Sequence, residues 1–177
     1  MKKFLIVVDM QNDFIDGSLG TKEAQGIVEN VAKKILSFDG EIIATMDTHQ
    51  EDYMDSCEGK NLPVLHCVRG TEGWKIQSTV NDALLTRGHY TVIEKPTFGS
   101  THLAERLREL LNNCGEDAEI HLVGLCTDIC VVSNALLLKA YLPEAEITVD
   151  SSCCRGVTPQ KHEAALETMR SCQIKVI

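Results

Sequence analysis

Cys130 closes the stretch Gly124-Leu125-Cys126-Thr127-Asp128-Ile129-Cys130, which lies between a short apolar run (119–123) and a long one (131–140). Those lengths read as a buried strand followed by a helix. Thr127 and Asp128 are good N-cap residues, which would put Cys130 in the first helical turn. Unpaired N–H groups and the macrodipole favour negative charge there, so the thiol is expected to ionise below the free-cysteine pKa of about 8.5. The bland alternative is a buried, inert cysteine. Asp9 ends another apolar run (4–8), and Lys95 ends the strand expected over 89–94, just before Pro96. A carboxylate, an ammonium and a thiol at one sheet edge form an acid–base set: the carboxylate moves the thiol's proton and the ammonium balances the charge. Taken singly, Asp9 reads as a loop cap and Lys95 as a solvated surface charge. Asp47-Thr48-His49 with His66 offers a second constellation. Residues i and i+2 of an extended segment point the same way, so Asp47 and His49 can share one ion with His66. Such nitrogen and oxygen donors suit Zn²⁺, with Mn²⁺ or Fe²⁺ as alternatives. The spacing matches no standard finger, and a pair of surface histidines is the ordinary reading. Cys57 and Cys67 flank this loop and offer two further ligands, although buried or incidental thiols are the ordinary reading.

The elements that must position these groups follow from periodicity. Strands are expected over 4–8, 41–46, 89–94, 119–123, 145–149 and 174–177, and helices over 22–37, 101–113, 131–140 and 158–172. Residues 47–77 break into polar residues, glycines and Pro63, longer than a bland connection. Strands alternating with helices imply a three-layer α/β/α arrangement with a mostly parallel, Rossmann-like sheet of about six strands. One domain over 1–177 is expected. Open sheets of this kind carry their sites just past the strand ends. Those positions hold Asp9, Asp47 and His49, Lys95, Cys126 to Cys130, and Asp150. Phe14 and Trp74 are the aromatics expected to face a pocket. His89, His102, His121 and His162 read as structural, and Cys153-Cys154 as two free thiols beyond the fifth strand.

Bulk properties narrow the classes. The chain has 177 residues, 44% hydrophobic, with a formal net charge of −9. The acidic balance argues against nucleic acid and against an anionic membrane surface as partners. The first apolar run is five residues long and ends in an acid, so it reads as a strand and not as a signal peptide. The eight cysteines are scattered through strand and helix patterns, which fits reduced thiols in the cytoplasm.

Four blocks together resemble the nicotinamidase branch of the isochorismatase-like cysteine hydrolases. They are Leu5-Ile6-Val7-Val8-Asp9-Met10-Gln11-Asn12-Asp13-Phe14; Asp47-Thr48-His49 with Leu65-His66-Cys67-Val68-Arg69-Gly70-Thr71; Glu94-Lys95-Pro96-Thr97-Phe98-Gly99-Ser100; and Gly124 to Val131. The resemblance implies that Cys130 is the nucleophile, with Asp9 as acid/base and Lys95 as its partner. It implies that Asp47, His49 and His66 hold a divalent metal. It also implies a cis peptide before Cys126, with the N–H groups of Cys126 and Cys130 forming an oxyanion hole. Phe14, Trp74 and Leu125 would line the substrate pocket. The sequence departs from the family in carrying Cys at 126, where a small residue is usual. It also lacks the tyrosine often found after the lysine.

The implied reaction is hydrolysis of nicotinamide to nicotinate and ammonia through a thioester on Cys130. One rival is another small-amide hydrolase of the same superfamily. A rival of a different class is a thiol and metal redox sensor using Cys126 and Cys130, which would leave Asp9 and Lys95 without a task. The expected partner is a small amide, and homo-oligomerisation is left open.

Overall fold

The computed structural model describes residues 1–111 and 117–177. Strand β1 (Lys2–Val8) buries every side chain from Phe4 to Val8. Phe4, Ile6 and Val8 enter one core cluster, while Leu5 and Val7 enter the other. A strand covered on both faces must be apolar at every position, which is why the run does not alternate. Three helices follow: α1 (Asn12–Ile15), α2 (Lys22–Gln25) and α3 (Val28–Ser37). The single helix expected over 22–37 is thus two, divided at Gly26 and Ile27. After β2 (Glu41–Asp47) come a 3-10 turn (Tyr53–Asp55), α4 (Cys57–Asn61) and α5 (Ser78–Arg87). Then follow β3 (Tyr90–Lys95), α6 (Thr101–Leu110), β4 (Ala118–Leu125), a π-helical turn (Thr127–Val131) and α7 (Val132–Tyr141). The chain closes with β5 (Glu146–Arg155), α8 (Pro159–Ser171) and β6 (Lys175–Val176). Residues 112–113 of the helix expected over 101–113 lie outside the described residues.

The six strands are all parallel, in the order β3-β2-β1-β4-β5-β6. Strand order reverses direction between β1 and β4, and the crevice past their carboxyl ends is where such sheets bind ligands. One core cluster includes residues of α6, α7 and α8 and the other residues of α3 and α5, so helices cover both faces of the sheet. Gly124 is needed at the seam of β1 and β4. Its φ is +118°, and a Cβ there would collide with the Val8 carbonyl. No described helix is long and apolar enough to cross a membrane.

Three expectations change. Helix α5 was hidden inside the stretch after the polar loop, because its buried positions are only Val80, Ala83 and Leu84, while Leu85 faces solvent. Strand β5 runs on to Arg155, since its pairing jumps from Leu122↔Val149 to Gly124↔Cys154. The jump is a bulge, so Asp150 and the Cys153-Cys154 pair lie within the strand and not beyond it. Asp150 points to Lys34, 2.9 Å away, and takes no part in the crevice.

Candidate active site

Asp9 follows β1 directly and has φ +48°, a backbone region that costs a non-glycine residue of order 1 kcal/mol. Thr45 of β2 holds it there. The Asp9 N–H donates to the Thr45 carbonyl (3.2 Å), and the Thr45 hydroxyl donates to Asp9 Oδ1 (2.6 Å). Lys95 ends β3, opposite Asp47 at the end of β2. Its Nζ lies 2.6 Å from Asp9 Oδ2, 3.5 Å from Cys130 Sγ and 3.7 Å from Asp47 Oδ1. Only 1% of Lys95 and 5% of Cys130 is exposed, so the trio meets almost free of bulk water.

Burial pushes the Asp9 carboxyl up, against the opposing pull of Lys95. It pushes the Cys130 thiol well up too, reinforced by the Asp9 carboxylate and opposed by Lys95. Burial works to lower Lys95, but the anions around it, Asp9 first, leave its ammonium held well above the usual range. The lowered thiol pKa expected from a helix N-terminus is therefore not found in the free site. Neither are the caps behind that expectation. The helix opens with the π turn, Thr127 Oγ1 bonds His162 Nδ1 (2.8 Å), and Asp128 Oδ1 accepts the Val157 N–H (2.9 Å). Burial and the Asp9 charge outweigh the opposing charge of Lys95.

The metal-loop residues also converge. His49 Nε2 lies 3.0 Å and His66 Nε2 3.5 Å from Asp47 Oδ2, and one donor atom from each residue falls within 4.8 Å of the others. Ligands about 2.0–2.2 Å from one Zn²⁺ can be no more than about 4.4 Å apart, a span within which both separations from Asp47, 3.0 and 3.5 Å, fall. The second ring nitrogen of His66 is tied to the Val64 carbonyl (2.8 Å), which leaves Nε2 bare for a metal. Burial would raise Asp47, but the His49 hydrogen bond, the His66 imidazole beside it and the charge of Lys95 hold its carboxyl well below the usual range. Glu58 on α4 adds a fourth donor that the sequence did not single out, with Oε1 3.7 Å from His49 Nε2 and 3.8 Å from His66 Nε2. It is one acid among Glu51, Asp52 and Asp55 in the same loop, with no spacing to mark it.

A cavity of about 270 Å³ joins the two constellations. Cys130, Asp47, Glu58 and His66 line its polar side; Phe14, Leu125, Ile129 and Phe98 are among its apolar walls. The Phe14 ring centroid is 5.6 Å from that of His66. Trp74, expected in the pocket, is not among its walls. Its Nε1 donates to Thr48 Oγ1 (2.9 Å), and the Arg69 guanidinium lies 5.9 Å from its ring centroid. A more open cleft lined by Arg155, His162 and Arg170 contains none of these groups. The Leu125–Cys126 bond is cis. The Cys126 thiol borders the cavity and is pushed up to about 12 by burial and by the charges of Asp128 and Asp9.

Residues 3–177 match the isochorismatase domain family. An isochorismatase family protein of Bacillus subtilis, PncA, is 30% identical over 94% of this chain and 93% of its own. The nicotinamidase/pyrazinamidase of Mycobacterium tuberculosis is 27% identical over 98% of this chain and 97% of its own. Among solved structures, the pyrazinamidase of Pyrococcus horikoshii in complex with zinc superposes with a TM-score of 0.82 at 27% identity, covering 100% and 99% of the two chains.

Proposed function

The chain belongs to the isochorismatase family, and from that premise we propose that it is a cysteine amidohydrolase releasing ammonia from nicotinamide. The observation that carries this reading is Lys95 Nζ poised between Asp9 Oδ2 (2.6 Å) and Cys130 Sγ (3.5 Å), beside a cavity that reaches Asp47 and His66. The nicotinamidase and pyrazinamidase relatives support the substrate class.

Asp9 and Cys130 are both anionic when deprotonated, both are buried, and one cation faces them. One proton shared between them, with Lys95 staying charged, is the balanced state. The thiol therefore loses its proton as it attacks. Sulfur bonds to the amide carbon while the proton passes to the Asp9 carboxylate. The oxyanion is held by the N–H groups of Cys126 and Cys130, donors that typically contribute about 10²–10³ in rate each. Asp9 returns the proton to the nitrogen, the C–N bond breaks, and ammonia leaves a thioester on Cys130. Water then attacks the thioester carbon and gives a proton to Asp9. The C–S bond breaks, Asp9 reprotonates the sulfur, and nicotinic acid leaves, losing its carboxyl proton to water to become nicotinate. Lys95 holds both groups throughout.

Asp47, His49 and His66, with Glu58 beside them, would hold a divalent ion, for which zinc is the assignment. An ion held by these residues would supply a Lewis acid toward which the pyridine nitrogen could orient the ring. Phe14 walls the ring from one side, and the apolar rim of Leu62, Phe98 and Val157 shields the mouth.

The test is ammonia release, followed by a coupled dehydrogenase assay, from nicotinamide, pyrazinamide and linear amides. Wild type should turn over the ring amides, and Cys130→Ala should not. Substantial turnover by that variant would remove the nucleophile assignment. Turnover of linear amides alone would replace the substrate.

A further inference from the structure

The segment after Asp9 fastens to the loop carrying the metal-site donors through two side chains that touch neither substrate cavity nor trio. Gln11 is wholly buried. Its Oε1 accepts the Asp47 N–H (2.7 Å), and its Nε2 donates to the Asp47 carbonyl (2.8 Å) and to the Trp74 carbonyl (2.8 Å). One carboxamide thus grips both backbone groups of Asp47. Two residues on, Asp13 Oδ2 accepts the Cys67 N–H (2.7 Å). Cys67 follows His66, and its carbonyl accepts the His49 N–H (3.0 Å). Cys67 also has φ +46°, a left-handed conformation that relaxes unless something holds it.

The approach of Asp13 is built for. A Cβ on Gly73 would collide with its carboxylate, and so would one on Gly17. Backbone bonds from Asn12 to Lys75 (3.0 Å) and Asp13 to Gly73 (2.9 Å) run along the same seam.

We infer that Gln11 and Asp13 are positioning residues for the metal site, Gln11 fixing Asp47 directly and Asp13 fixing His49 and His66 through the Cys67 peptide. All three donors are reached from one three-residue segment that begins two positions after Asp9, so the stretch of chain that places the acid/base also sets the donor triangle. The idea rests on the divalent-ion site at Asp47, His49 and His66. Partners that orient ligands typically contribute about 10–100-fold in metal affinity.

The experiment measures Zn²⁺ affinity of the stripped protein by competition with a chromophoric chelator, alongside the melting temperature of the metal-free protein. Gln11→Met keeps the volume and removes three hydrogen bonds. Asp13→Ala removes the acceptor for Cys67, and Asp13→Asn keeps an oxygen there. Gly73→Ala pushes the carboxylate aside without touching any donor. Gln11→Met, Asp13→Ala and Gly73→Ala should each bind Zn²⁺ about 10–100-fold more weakly, and Asp13→Asn should recover most of the loss. Zn²⁺ affinity within twofold of wild type in the folded variants would overturn the inference, as would an Asp13→Asn loss equal to that of Asp13→Ala. If Gln11→Met fails to fold, the two Asp13 variants decide. A wild-type protein that binds no Zn²⁺ would remove the metal site itself, an outcome distinct from variants that match a zinc-binding wild type.

Discussion

Replacing Asp9 with Asn and Lys95 with Met should move the reactivity of Cys130 in opposite directions, although either change abolishes ammonia release. Lys95 Nζ lies 3.5 Å from the sulfur. At an effective dielectric constant of about 20, a unit charge at that distance stabilises the thiolate by about 5 kcal/mol at most, so the ammonium is what makes any thiolate accessible in this buried site. Without it, alkylation of Cys130 by iodoacetamide at pH 7.5 should slow by about 10²- to 10³-fold, in proportion to the thiolate present. Asp9 acts with the other sign. Burial is the first cause of the raised thiol, and the Asp9 carboxylate adds to it while also engaging Lys95 at 2.6 Å. Asp9→Asn removes that anion and leaves Lys95 shared between the sulfur and the more distant Asp47, so alkylation should speed by about tenfold or more. Site-resolved mass spectrometry separates Cys130 from the exposed Cys57 and Cys172. An Asp9→Asn variant alkylated no faster than wild type would mean that the sulfur is already the anion and the shared proton rests on Asp9. That result would refute the concerted proton transfer.

Phe14→Ala should raise KM for nicotinamide by about tenfold, the loss of one aromatic wall at about 1–1.5 kcal/mol, while Trp74→Phe, whose ring lies outside the cavity, should change KM far less; steady-state kinetics on both variants checks the contrast. Gly124→Ala forces a side chain into the Val8 carbonyl and should lower stability by on the order of 3 kcal/mol or more, read as a fall of roughly 10 °C in Tm; a Tm within 2 °C of wild type would contradict the packing at that seam. At Asp150, burial would raise the carboxyl, but the hydrogen bonds from Ser152 and the charge of Lys34 hold it below the usual range. A depressed folded-state pKa contributes stability that is fully present above the unfolded value of about 3.9 and is lost as pH falls through the folded value. Asp150→Asn should therefore cost about 1–2 kcal/mol at pH 7, with the gap to wild type in thermal melts narrowing below about pH 4; a gap independent of pH would exclude the ion pair as its cause.

What the sequence by itself determined was the set of chemical types and the strand ends that carry them. Continuous apolar runs mark strands buried on both faces, and the residue after each run must sit at the sheet's carboxyl edge. Asp9 and Asp47 were legible for that reason, Lys95 because Pro96 stops the strand that carries it, and Cys130 because it opens the long apolar run after a strand. Helix α5 was not, because Val80, Ala83 and Leu84 make too sparse a stripe beside the exposed Leu85. Asp150 was misplaced at an edge because the bulge that lengthens β5 arises from its pairing with β4, not from its own residues. Tertiary structure alone decided which suitable side chains meet. Glu58 joins the imidazoles and Trp74 turns away because the path of the 47–77 loop is set by contacts with the segment after β1, dozens of residues distant in the chain. It also reversed the expected ionisation of Cys130. A helix terminus can be read from neighbouring residues, whereas desolvation depends on what the whole fold packs around the sulfur.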